Sequence, residues 1–143
     1  MLEAVSPKPG AELEAALAKL VATGIVFPEG GGTEQRFSFK HALLRDAAYE
    51  SLLMARRREW HERTARVLEE GFPEAAANEP ELLAHHFGEA GLNEKACEYR
   101  MRAGDRALSR SAYNEAIANF SAGLKAAEAL LPSPEAMRHQ LVL

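Results

Sequence analysis

A chain of 143 residues, 47% apolar and 27% charged, holds enough material for one compact domain or two small helical units, with the ordinary balance of a soluble globular protein. A net charge of −4 argues against a dedicated nucleic-acid binder, which carries a basic face or domain, and no apolar run nears the roughly 18 residues a bilayer crossing needs. The single cysteine, Cys97, cannot close an internal disulfide, and Met1–Val5 has neither the basic nor the apolar stretch of a signal peptide, so the chain reads as cytoplasmic with no membrane partner.

Alanine is abundant and aromatics make up only 7%, so the composition leans to helix. Pro7, Pro9 and Gly10 mark residues 1–10 as an extended lead-in. Residues 11–23 form an amphipathic helix with Leu13, Ala16, Leu17, Leu20 and Val21 on one face, stopped by Gly24 as a C′ glycine. Ile25-Val26-Phe27 reads as a strand, Pro28 to Thr33 as a glycine-rich turn, and Arg36–Phe39 as the return strand. At His41 the period changes from two to helical, and Ala42, Leu43, Ala47, Leu52 and Leu53 recur on one side. A histidine at such a junction sits where backbone N–H groups are unpaired and anions are attracted. No breaker precedes Gly71, but 41–70 exceeds an average helix, which places a break near Ala55–Arg57.

Gly71, Pro73 and Pro80 bracket a loop with a short turn at Glu74–Ala77. Pro80 starts a helix through Leu82, Leu83, His86 and Phe87 that ends at Gly91. Asn93 caps a helix from Glu94 to about Ser109. Ser111 or Asn114 opens another, through Ala116, Ile117, Phe120, Leu124 and Ala127 to Leu131. Pro134 begins a last helix to Leu143. The expected class is mostly α: residues 11–70 hold a helix, a short β-hairpin and the helices after it, and residues 71–143 hold antiparallel helical hairpins.

The hairpins resemble a tetratricopeptide repeat. Gly104, Ala116, Phe120, Gly123 and Pro132 follow its small, small, aromatic, small, proline order, although Arg100 and Ala107 stand at its Trp and Tyr positions. Ala84, Phe87, Ala96 and Ala103 echo the order twenty residues earlier, so one repeat at about 97–131 follows a degenerate pair. Gly104, Ala116, Phe120 and Gly123 are then the repeat-packing positions.

A wider resemblance rests on Leu17–Val26, on Phe37-Ser38-Phe39-Lys40-His41 running into Ala42–Leu53, on Arg56-Arg57-Arg58, on Pro80–Phe87 and on Ala103-Gly104. Together these resemble the region that follows the nucleotide-binding module in bacterial STAND-type signalling ATPases, often fused to a class III adenylate/guanylate cyclase. The resemblance implies a partial winged helix at 11–70 followed by tetratricopeptide-like repeats. It implies that His41 touches the β-phosphate of ADP held by an upstream nucleotide-binding domain, with Ala42 where an Asp often follows. ATP/ADP and Mg would belong to that parent protein. The chain has no G-x-x-x-x-G-K-S/T element and no cyclase residues, so the chain itself is expected to be no enzyme and to hold no cofactor. Arg45, at i+4 from His41, is placed to support phosphate or to pair an acidic partner.

The expected function is a regulatory and scaffolding segment in signal transduction, coupling nucleotide state to a repeat surface that binds protein partners. The alternative is a winged-helix transcriptional regulator, but a recognition helix at 11–23 with Glu12 and Glu14 against Lys19 would repel phosphate. An excised half winged helix also predicts an uncovered apolar face on residues 11–23, and hence a homodimer or a mobile N-terminal region. His85 and His86 with Glu81 and Glu89 complete no four-ligand set, so no metal is expected, and Cys97 reads as a small apolar residue.

Overall fold

Thr23 and Gly24 show how the sequence writes its first long element. In the computed structural model, which describes residues 1–30 and 36–131, α2 runs Gly10–Ala22 and closes in a Schellman turn: Gly24 sits at φ +69°, its N–H reaches Val21 O at 2.9 Å and that of Ile25 reaches Leu20 O at 3.0 Å. Of the described residues, 74% are helical and 6% are in strands, so the mostly α class holds. The turn from Gly31 to Thr33 and the helix expected from Pro134 lie outside the described residues. None of the described helices is long and apolar enough to cross a membrane.

The chain divides into two compact units, Met1–Arg57 and Arg58–Leu143. In the first, α1 (Leu2–Val5) is one helical turn, which corrects the extended lead-in expected for residues 1–10. Helix α2 buries none of its residues fully. Strands β1 (Val26–Glu29) and β2 (Arg36–Phe39) pair antiparallel with Val26 opposite Phe39 and Pro28 opposite Phe37. Pro28 therefore belongs to the strand rather than the turn, as an edge strand permits. Helix α3 (Ala42–Glu50) follows with His41 as its N-cap.

The long helical stretch breaks at Ser51–Leu53, a few residues before the expected Ala55–Arg57. Ser51 Oγ donates to Ala48 O at 2.7 Å, a local bond that competes with the helix ladder. Arg57 then turns back, donating from Nε to Leu52 O at 3.0 Å and from Nη2 to Glu50 O at 2.7 Å, with its guanidinium 4.7 Å from the centre of the Tyr49 ring. Carbonyls orphaned at the end of α3 thereby gain a charged donor. The next helix, α4 (Met54–Gly71), contains the division between the units.

The second unit contains α5 (Pro73–Asn78), α6 (Pro80–Glu89), α7 (Asn93–Ser109) and α8 (Tyr113–Glu128). Prolines start α5 and α6, where a missing N–H costs nothing. What reads in the sequence as a short turn is the whole of α5. The core joins Ala65 and Leu68 of α4 to Ala76, Leu83, Ala84, Phe87, Ala96 and Tyr99.

The links α6–α7 and α7–α8 are the same turn. Gly91 has φ +80° and Ser111 has φ +59°, and Leu92 and Ala112 share φ −86°, ψ 68°. In each, the N–H after the left-handed residue reaches five residues back: Leu92 to Phe87 O and Ala112 to Ala107 O, both at 2.9 Å. Asn93, expected to cap α7, is therefore its first residue, and α8 opens at Tyr113, between the two expected starts Ser111 and Asn114. Leu92 and Ala112 precede the helices, and Ser111 ends α7 instead of opening α8.

Candidate functional site

His41 takes an extended backbone, φ −135° and ψ 131°, because it closes β2 before α3 begins. Its carbonyl accepts the first α3 bonds, from Leu44 N at 3.0 Å and Arg45 N at 3.3 Å, while its side chain makes no capping bond. The ring is exposed. Arg45 is engaged by its neighbour: Nε and Nη2 both lie 2.8 Å from Asp46 Oδ1. Both side chains are more than half exposed or nearly so, and such a pair contributes little stability. Phe37, Ser38, Phe39, Ala42 and Arg45 line an open concavity of about 340 Å³ beside the junction. Arg45 thus stands at the concavity with its guanidinium held by Asp46, and His41 is not part of the lining.

Of the four positions expected to pack the repeat, Gly104, Phe120 and Gly123 lie at the α7–α8 contact. A Cβ on Gly104 would lie 2.6 Å from Cδ1 of Phe120, well inside van der Waals contact, so only glycine admits the ring. A Cβ on Gly123 would meet Cβ of Arg100 at 3.3 Å. Ala116 is buried where α8 begins, as Ala96 is where α7 begins. Small residues at these positions let the two helix backbones approach closely. Asn119 is buried in the same layer, accepting from Arg100 Nη1 at 3.1 Å and donating to Glu115 O at 3.0 Å.

Two polar clusters tie α4 to its neighbours and were not read from the sequence as clusters. His61 of α4 lies among His85 and His86 of α6, with ring centroids 5.6 and 5.0 Å away and the Nδ1 atoms of His61 and His86 2.9 Å apart. His61 is buried, His86 is half-buried and His85 is exposed. Burial pushes the His86 pKa down to about 4, helped by repulsion from His61 and His85 and opposed by Glu89. Burial, then His85, lowers His61 as well, again opposed by Glu89. At neutral pH both rings are uncharged, and one Nδ1–H donates to the other Nδ1. Among the described residues no group of three or more His, Cys, Asp or Glu is placed to hold a metal ion.

Two turns along α4, Glu69 Oε1 accepts from Lys95 Nζ at 2.7 Å and from Tyr99 OH at 2.8 Å. Tyr99 is buried and stacks on Phe87 with centroids 5.6 Å apart, while the Arg102 guanidinium lies 4.9 Å from the centre of its ring. Burial alone would raise the Glu69 carboxyl, but the bonds from Lys95 and Tyr99 and the charges of Lys95 and Arg102 outweigh it and hold it low. Helical spacing could place Trp60, Ala65 and Leu68 on one stripe of α4, but pairing that stripe with residues 25 to 30 positions away needs the tertiary fold. No protein-family model, curated protein or solved structure matches the chain.

Proposed function

We propose that the chain is a regulatory and scaffolding segment of a multidomain, nucleotide-dependent signalling protein of the cytoplasm, with an adenylate/guanylate cyclase as the parent. In this reading residues 11–70 act as a partial winged helix and the hairpins from α6 to α8 as tetratricopeptide-like repeats that bind protein partners. The observation that carries it is His41: an exposed imidazole at a strand-to-helix junction, on unpaired α3 N–H groups, with no capping bond of its own. A neutral ring there donates one N–H to phosphate without opposing the helix dipole. The nucleotide and Mg would be held by an upstream domain in cis. Arg45, whose Nε and Nη2 hold Asp46, would add a second donor through Nη1, with His41 the principal contact. The chain itself performs no catalysis in this account, and nucleic acid is not its partner.

The test uses the intact protein. His41→Ala should weaken ADP retention and raise basal activity, measured by nucleotide content after purification and by turnover without effector. Unchanged retention and unchanged basal activity in that variant would remove the sensor role.

A further inference from the structure

We propose that His61 and His86 form an acid-sensitive latch that holds the α4 stripe on the α6–α7 pair and lets its His61 end open as the rings take up protons. The geometry is specific. Two Nδ1 atoms 2.9 Å apart need one donor and one acceptor, which a neutral or a singly protonated pair supplies and a doubly protonated pair does not. A first extra proton places a charge in a half-buried site beside a third imidazole, His85. A second leaves two N–H groups facing each other with no acceptor. His85 and Glu89, both of α6, act on the pair; Glu89 favours protonation and is outweighed by burial and by the other rings.

The sign follows from linkage. Both rings titrate below their ordinary 6.5 while α4 is docked, His86 near 4, and return toward 6.5 when it lifts. The open form therefore binds more protons between about pH 6.5 and 4, and docking weakens as pH falls through that window, by up to roughly tenfold per pH unit for each ring. The latch is fully closed above 6.5. Glu69 behaves differently over this range. Its carboxyl stays ionised to below the usual carboxylate value, so its bonds to Lys95 and Tyr99 persist while the histidines charge. Opening then begins at the His61 end of α4 and stops short of Glu69, which makes it a partial release rather than acid unfolding.

Amide hydrogen exchange on the full chain, corrected for intrinsic rates, tests this between pH ~7 and pH ~5. Amides around His61 to Ala65 should lose protection by roughly tenfold or more, while those of α7 and α8 keep theirs. His86→Asn and His61→Asn keep an amide near the Nδ1 position without a titrating ring, and each should flatten that pH response. Protection of α4 that does not change with pH, equal loss in every helix, or a wild-type response in His86→Asn each overturns the latch. Should either variant fail to fold, imidazole proton resonances of the wild-type chain decide: midpoints for His61 and His86 below 6.5 support it, and both near 6.5 refute it.

Discussion

The two units contain helices of similar amphipathic character and differ in what those helices cover. In the first unit Val26 is the one buried hydrophobic residue among those described, and α2 and α3 bury none. Leu43 is 81% exposed and Leu53 is 76% exposed. In the second unit, Leu83 and Ala65 are wholly buried, and Phe87 nearly so. The difference lies in side-chain size at the crossings. Helices α6, α7 and α8 alternate Ala and Gly with Phe, Leu and Tyr, so that Gly104 receives the Phe120 ring and Ala96 and Ala116 sit under neighbouring turns. In the first unit α2 packs against β1 and α3 against β2, strands of a two-stranded sheet that offers little area to cover them. An apolar stripe is enough to make a helix, but complementary sizes are needed to bury it.

Paired substitutions put that contrast on a scale. Leu83→Ala should cost about 2–5 kcal/mol, the range for a leucine in a packed site, while Leu43→Ala should change stability by less than about 0.5 kcal/mol. Urea titrations followed by fluorescence of Trp60 measure both, and similar midpoints for the two variants would refute the asymmetry. Gly104→Val should cost about 1–3 kcal/mol, because the new side chain must displace the Phe120 ring or part α7 from α8. Combining it with Phe120→Ala tests the cause: if the ring is the obstacle, the double variant loses less than the sum of the single losses.

Much of this was legible in the sequence, and what was not has a physical reason. Gly24 and Gly91 announced helix ends because only a left-handed residue completes a Schellman turn there, and Pro80 announced a start. The order of helices from α2 to α8 and the hairpin followed from period together with such breakers and with helix length. Ser111 reads as one of two possible helix starts because serine favours helix N-termini in general, whereas the turn geometry at this position demands positive φ. Pro28 was misread as a turn because a two-stranded sheet has only edges, a fact of topology and not of local pattern. The His61–His86 and Glu69–Lys95 contacts were invisible for a third reason: both join residues far apart in sequence that no spacing rule relates. His41 sits at the junction that the change of period marks, and Arg45 takes one of its two readings, an acidic partner, with Asp46 next to it in sequence.

A smaller effect separates the polar ties of α4 from its apolar ones. Glu69→Gln removes the charge that Lys95 and Tyr99 share while keeping an acceptor, and should cost about 1 kcal/mol, since Lys95 is partly exposed and its ion pair is screened. The wild-type carboxyl titrates below its ordinary value, so its contribution is complete above about pH 4.5 and disappears as pH falls through its lowered pKa. The loss in Glu69→Gln should therefore vanish in acid. A cost that persists undiminished at pH ~3 would mean that packing, not charge, holds this end of the helix.

The smallest change runs the other way and tests the equivalence of the two turns. Ser111 and Gly91 occupy the same place, each followed by a residue at φ −86°, ψ 68°, yet only Gly91 adopts positive φ without a Cβ opposing it. The left-handed region costs a side chain roughly 1–2 kcal/mol, and part of that is returned because glycine also frees the unfolded chain. Ser111 Oγ makes no hydrogen bond found among the described residues, so little else is lost with it. Ser111→Gly should thus stabilise the chain by about 0.5–1 kcal/mol, seen as a higher urea midpoint with unchanged slope. Gly91→Ser should destabilise it by a similar amount. Since the two turns differ in sequence but share backbone and hydrogen bonds, opposite signs at the two sites would show that turn geometry, rather than the helices on either side, sets the preference for glycine; a loss at both would mean that the hydroxyl of Ser111 has a role that the backbone does not reveal.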